Sequence, residues 1–415
     1  MIQNYELDDV KVYDIKITNA NGTDTKDIRG QLLTMSIYED IQEPTIYAEI
    51  LLVDQISLIS KLPIVGEETV VISFKTPSRD EITTYNLRVF NISGEAVQDS
   101  NKGSVYKLQC VSEEHFVGSV LNIEKAYKDI ISNIVTDILV NNLKTTKQLD
   151  IEPTKGLIPW VIPRMNPFQA IDHVRQRAIS QVPTGGVFVF YEDQMGIHFR
   201  SIESLIEMGQ QTINSRVFTY DPATKEDTLR HTHAFRNMIN YEHLKKTDTV
   251  MKLASGVFNN ITKSYDIHTK AFGETIFKLA EQSNKIVTGQ TKASLPNSGE
   301  FIENYSNMDQ YKFFAPKDIS KGTDYTTDYM GYKQSFATLF NQNIVRAFVH
   351  GDNYLKIGDM VTLQLPETSG IKTTDKKDRQ YSGNYLITKL RHMIYMEDRK
   401  FKHKVSFDCN KVGFS

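Results

Sequence analysis

The two ends of this chain carry the same strand text in the same order. Near the N-terminus stand "YAEILLVD", "PIVGEETVVISFKTP", "TYNLRVFNISG" and "VYKLQCVSE"; near the C-terminus stand "VRAFVHGD", "LKIGDMVTLQLPE", "GNYLITKLRHMI" and "KHKVSFDCNK". The offset stays at roughly 290 to 300 residues through all four, which points to an internal repeat rather than generic strand patterning. Gly66-Glu67 matches Gly358-Asp359, each opening an alternating strand, and Cys110 matches Cys409, each two residues after a large apolar side chain. Val70, Ile72 and Phe74 fall on one strand face, as do Val361, Leu363 and Leu365 in the later copy. Gly66 and Gly358 are expected to adopt positive φ, so valine at either should cost a similar ~1 to 3 kcal/mol. Both cysteines are expected to be small buried hydrophobes.

A chain of 415 residues exceeds what one compact core holds, so several domains are expected. Residues 1–117 read as an antiparallel β-unit with turns at Gly66, "TPSRD" and "QDSNKG". Residues 118–215 read as an α+β domain: a helix from about Glu124 to Leu143, a proline-rich loop around Trp160, a helix starting at Asn166-Pro167, and a hairpin around "EDQMG". Residues 216–248 with 343–415 form the second β-unit. Residues 249–342 read as an inserted mixed domain, with helices at "AFGETIFKLAEQSNKI" and "DYMGYKQSFATLFNQ".

Composition narrows the function. A formal net charge of -3 argues against a nucleic-acid-coating protein or a polybasic membrane binder. The acidic start lacks a signal-peptide pattern and no long apolar run occurs, so cytosolic synthesis without membrane anchoring is expected. Two cysteines build no disulfide framework.

Chemistry-bearing residues are sparse. Glu67, Asp193 and Asp359 sit beside turn glycines, where acids are usually solvated, so none is expected to form a glycosidase pair. His231 and His233 share a strand face, with His243 further on, yet no well-spaced fourth ligand completes a metal site. His392 reads as structural. The glycines of "IVGEET" and "TGQTKAS" lack phosphate-loop spacing. The charged run 371–380 reads as a solvated hairpin loop, and Trp160 as a domain-packing residue. The expectation is no catalytic residue, no cofactor and no metal.

The stretch "LKIGDMVTLQLPE…YSGNYLITKLRHMIYMEDRKFKHKVSFDC" resembles the C-terminal barrel of baseplate central hub proteins of contractile-tailed phages, and more distantly the hub segment of type VI secretion spikes. "LDIEPTKGLIPWVIPRMNPFQAIDHVRQRA", followed by "GGVFVFYEDQMGIHFRSIESLI", is similar to the second domain of that family. The resemblance implies an α+β, mainly β fold with two tail-tube-like antiparallel β-barrels, each with a smaller α+β domain. It implies a non-enzymatic homotrimer whose six barrel positions join a sixfold tail tube to a threefold central spike, leaving a channel through which DNA passes as cargo. The implied partners are the spike, tube or tube-initiator proteins, the tape measure protein and baseplate wedge proteins, in a virion assembled in the host cytoplasm. The alternatives are a hub ring of a non-phage injection machine and a hub-associated wall hydrolase.

Overall fold

The computed structural model describes residues 7–413 except 56, 63, 78–79, 98–102, 182–184, 212, 214–215, 221–234, 266–269, 283–285, 290–314, 317–325 and 368–376. The first part of the chain forms β1 (Lys11–Thr18), β2 (Thr25–Asp27), β3 (Leu32–Asp40), β4 (Tyr47–Asp54), β5 (Thr69–Lys75), β6 (Thr83–Val97) and β7 (Ser104–Val111). The middle contributes β8 (Ile123–Asp129), β9 (Leu149–Ile151), β10 (Ile158–Met165), β11 (Phe188–Asp193) and β12 (Gly196–Ser201), with helices at Glu113–Val120, Ile131–Asp137, Pro167–Arg175 and Ile202–Gln210. The last part holds β13 (Val217–Thr219), β14 (Met238–Lys245), β15 (Asn259–Tyr265), β16 (Phe272–Lys278) and β17 (Ala315–Pro316). After the helix Thr326–Phe340 come β18 (Asn343–His350), β19 (Met360–Gln364), β20 (Gly383–Glu397) and β21 (Lys400–Lys411).

Strand alternation decides which side chains go inside. Ala48, Ile50 and Leu52 of β4 are fully buried, as are Val405, Phe407 and Cys409 of β21 to within 1%. Three apolar cores result. Ile15, Ile37, Ile50, Ile72, Leu108 and Cys110 lie in the first. Phe336, Val345, Leu363, Ile387, Phe407 and Cys409 lie in the second. Ile134, Val135, Ile171, Phe188 and Phe199 lie in the third. Burial of each large side chain stabilises by roughly 1.5 to 3 kcal/mol.

Among the described residues, one 13-stranded sheet runs β14-β18-β21-β20-β3-β4-β7-β6-β5-β1-β2, with β19 against β20 and β13 against β19. The order β3-β4-β7-β6-β5 therefore recurs as β14-β18-β21-β20-β19. The recurrence extends to single residues. Cys110 faces Ala48 and Val89, while Cys409 faces Val345 and Ile387. Just past each cysteine pair the ladder skips one residue, Phe90 in β6 and Thr388 in β20. A second skip, Leu33 in β3, recurs as Ile239 in β14. The two halves meet where β20 pairs antiparallel with β3, from Lys389 with Asp40 to Tyr395 with Thr34.

Two helix expectations are corrected. Residues 123–129 form β8, not the start of a helix, and the helix begins at Ile131 and widens into a π turn at Ile138–Asn142. "IEKAYKD" has helix-forming residues, but pairing with β10 over Ile158–Asp129 to Met165–Ile123 overrides that propensity. The supposed loop around Trp160 is that partner strand. Its prolines are tolerated because, among the described residues, β10 pairs on one edge only. Residues 272–278 likewise form β16 against β15, leaving helix only at Leu279–Gln282. The Asn-Pro signal is observed as read: the Asn166 side chain accepts the Gln169 N–H at 2.8 Å.

Candidate functional site

Gly66 (φ +98°) and Gly358 (φ +80°) both occupy the region that favours glycine, each just before a strand. Their hydrogen bonds set a different equivalence from the sequence match. The Val89 N–H donates to Glu68 O and the Ile387 N–H to Asp359 O, both at 2.9 Å, so Asp359 corresponds to Glu68 and Gly358 to Glu67. Surroundings differ too. A Cβ on Gly66 would meet only Phe90 O at 3.7 Å, whereas on Gly358 it would sit 2.8 Å from the Tyr191 hydroxyl and 3.4 Å from Leu205.

The turn acids divide. Glu67 is exposed, as expected. Asp359 is instead half-buried and pairs with Arg216 at 2.5 Å; burial raises its pKa against the pull of that guanidinium. Asp193 is 6% exposed and accepts the Met195 and Gly196 N–H groups at 2.7 and 3.1 Å. Neither is a solvated turn acid, because each caps backbone or a cation inside the fold.

Asp193 also takes part in a cluster that sequence reasoning missed. His198 in β12 is bonded through Nδ1 to Asp150 at 3.0 Å and through Nε2 to Asp193 at 2.9 Å. Burial disfavours the imidazolium, but the bonds to Asp150 and Asp193 win and lift His198 to about 9. The His198 bond and Arg200 hold Asp150 well below the usual carboxylate range. Both ring nitrogens are thus occupied by carboxylates and the charge is locked, an arrangement suited to tying β9 to β12 rather than shuttling protons. A second buried network places Lys147 between Glu114 and Glu192, at 2.5 and 2.6 Å. Burial and the charge of Asp193 push Glu39 up to about 8, and the Tyr85 hydroxyl donates to it at 2.8 Å.

The histidines singled out in the sequence fall in different surroundings. His231 and His233 lie outside the described residues; His243 lies in β14 and packs against the rings of Tyr241 and Tyr381. Among the described residues no group of three or more His, Cys, Asp or Glu side chains is placed to hold a metal ion, and no helix is long and apolar enough to cross a membrane. His392 and His403 are 2% and 0% exposed, bonded to each other at 3.0 Å, with Phe74 edge-on to both rings. Trp160 packs on the third core beside His173, its ring centroid 4.9 Å away. Of the run 371–380, residues 371–376 lie outside the description; Asp378 accepts the N–H groups of Gln380 and Tyr381. Cys110 and Cys409 are fully buried free thiols, each raised above the ordinary value by burial.

The histidine pair yields a pH prediction. Burial pushes His392 down to about 4, and burial with the neighbouring His392 pushes His403 well below its ordinary value. The folded pair stays neutral where the unfolded chain takes up protons, so its contribution is intact above about pH 6.5 and lost as pH falls towards 4. Compared with a His392→Gln/His403→Gln variant, wild type should lose roughly 3 kcal/mol or more between pH 7 and 4. Thermal unfolding of both proteins across that range checks this; a constant difference between them would contradict it.

Beyond these networks, the β20–β3 joint also shapes the surface of the sheet. Tyr38, Asp40, Tyr47, Arg346, Lys389 and Asp408 line a groove there of about 610 Å³. Two ion pairs cross it, Arg346 with Asp408 and Lys389 with Asp40, both at 2.7 Å, while Glu43 and Arg391 add further charge to the lining.

The overall fold is similar to those of two solved tail proteins. A tail protein from Neisseria meningitidis MC58 matches with a TM-score of 0.57 and 8% identity, over 97% of this chain and 98% of that one. The 43 kDa tail protein of prophage MuSo2 from Shewanella oneidensis matches with a TM-score of 0.56 and 7% identity, over 97% of this chain and all of that one (100%). No protein-family model matches the sequence, and no curated protein resembles it in sequence. The resemblance read from the sequence thus extends to the fold.

Proposed function

We propose that this chain is a structural hub of a phage tail baseplate, a homotrimer that joins the tail tube to a threefold spike. The observation that carries the reading is the recurrence of strand order with two shared bulges, which supports an internal duplication into two tail-tube-like units. Three chains with two units each present six similar positions to a sixfold tube while keeping threefold symmetry towards the spike. Function on this reading lies in surfaces. Native mass measurement of the purified chain with and without its spike partner tests the reading, with a three-chain particle as the expected result.

A further inference from the structure

The β20–β3 joint has a counterpart that the single chain leaves unmade. By the ladder positions, β6 corresponds to β20 and β14 to β3: Ser93 to Arg391, Tyr241 to Met35, Glu242 to Ser36. Within the chain Arg391 faces Tyr38 and Met393 faces Ser36. Among the described residues β14 pairs only with β18, and β6 pairs with β5 only as far as Arg88. Among the described residues both strands therefore offer an open edge of the kind that pairs with another chain. Phe90, Ile239 and Leu244, on these two strands, are 42%, 40% and 45% exposed.

We propose that β6 of one chain pairs antiparallel with β14 of a second copy, reproducing between chains the joint that β20 and β3 make within one. The register follows without adjustment. Between Ser93 and Ala96, β6 carries one more residue than β20 does between Arg391 and Met393. Between Glu242 and Lys245, β14 carries one more residue than β3 does between Ser36 and Tyr38. The two extra residues fall at the same step, so they face each other. An uninterrupted ladder results, from Ser93 opposite Lys245 to Val97 opposite Tyr241. Two independent insertions that cancel at one step are expected of strands that pair, and not of edges exposed to water. The contact is head-to-tail, so it must close into a ring or propagate.

This inference rests on the hub reading for the number of chains but not for the strands involved. The test is a Ser93→Cys/Lys245→Cys variant of the full chain, treated with a short bis-maleimide at a concentration where the chain associates, with spike protein added. Directly opposed residues in an antiparallel pair have Cβ atoms about 5 Å apart, within reach of the reagent. The native Cys110 and Cys409 thiols are buried and stay silent. A Tyr38→Cys/Arg391→Cys variant, linked within one chain and unchanged in mass, controls for folding. The expected result is a covalent ladder that ends at three chains and holds most of the protein, with neither single-cysteine parent forming it. Particles of several chains with no inter-chain link would overturn the edge pairing and leave the hub reading standing. A ladder continuing past three would uphold the pairing and overturn the threefold ring. A single chain in every condition would overturn both.

Discussion

Lys147→Met should destabilise the fold by about 3 to 5 kcal/mol at pH 7. The Lys147 ammonium sits between two carboxylates whose side chains are 8% and 4% exposed, Glu114 and Glu192. Lys147 bonds Glu192 Oε1 while Oε2 has no hydrogen-bond partner among the described residues, so removal of the cation strands buried negative charge. Burial already raises Glu192 against the pull of Lys147, and losing that pull raises it further. In the variant Glu192 is more easily protonated folded than unfolded, so the deficit should shrink as pH is lowered from 7 towards 5. A Lys147→Met/Glu114→Gln/Glu192→Gln variant should recover most of the loss. Denaturant unfolding at pH 7 and 5 measures all of this; a Lys147→Met deficit below about 1 kcal/mol at pH 7 would contradict the account.

Gly358→Val should cost roughly 3 to 5 kcal/mol, and Gly66→Val only about 1 to 3. Both place a β-branched residue at positive φ, which sets the shared part of the cost. Only Gly358 adds a collision, with the Tyr191 hydroxyl and Leu205 packed where the third part of the chain meets the helix Ile202–Gln210. Gly358→Ala should therefore keep part of the penalty, whereas Gly66→Ala should keep the strain alone. Equal melting shifts for the two valine variants would mean that the packing around Gly358 is not as described.

The comparison of these glycines shows what the sequence can and cannot reveal. Alternation of apolar residues gives away β4, β5, β18 and β19, because each has one wet and one dry face. The cysteine match identifies equivalent ladder positions because both sit beside the same bulge. The glycine match slips by one residue, since a turn can lengthen without disturbing the strand after it. β8 is hidden because Lys125, Ala126 and Tyr127 suit a helix as well as an edge strand, and only their distant partners Ile162, Val161 and Trp160 make the choice. The clusters around His198 and Lys147 are illegible for a different reason. Asp150 lies 48 residues from His198, and Glu114 lies 33 from Lys147, so no spacing rule connects them. Asp193 and Asp359 read as solvated from the sequence because a glycine neighbour signals a turn but says nothing of what packs over it.

The number of chains in the assembled particle tests the central claim most directly. Native mass spectrometry or mass photometry of the 47.5 kDa chain, alone and with its spike protein, reads it without assumptions about shape. The account predicts three copies, formed by the chain alone or on addition of the spike. A stable dimer, tetramer or hexamer in both conditions would contradict it.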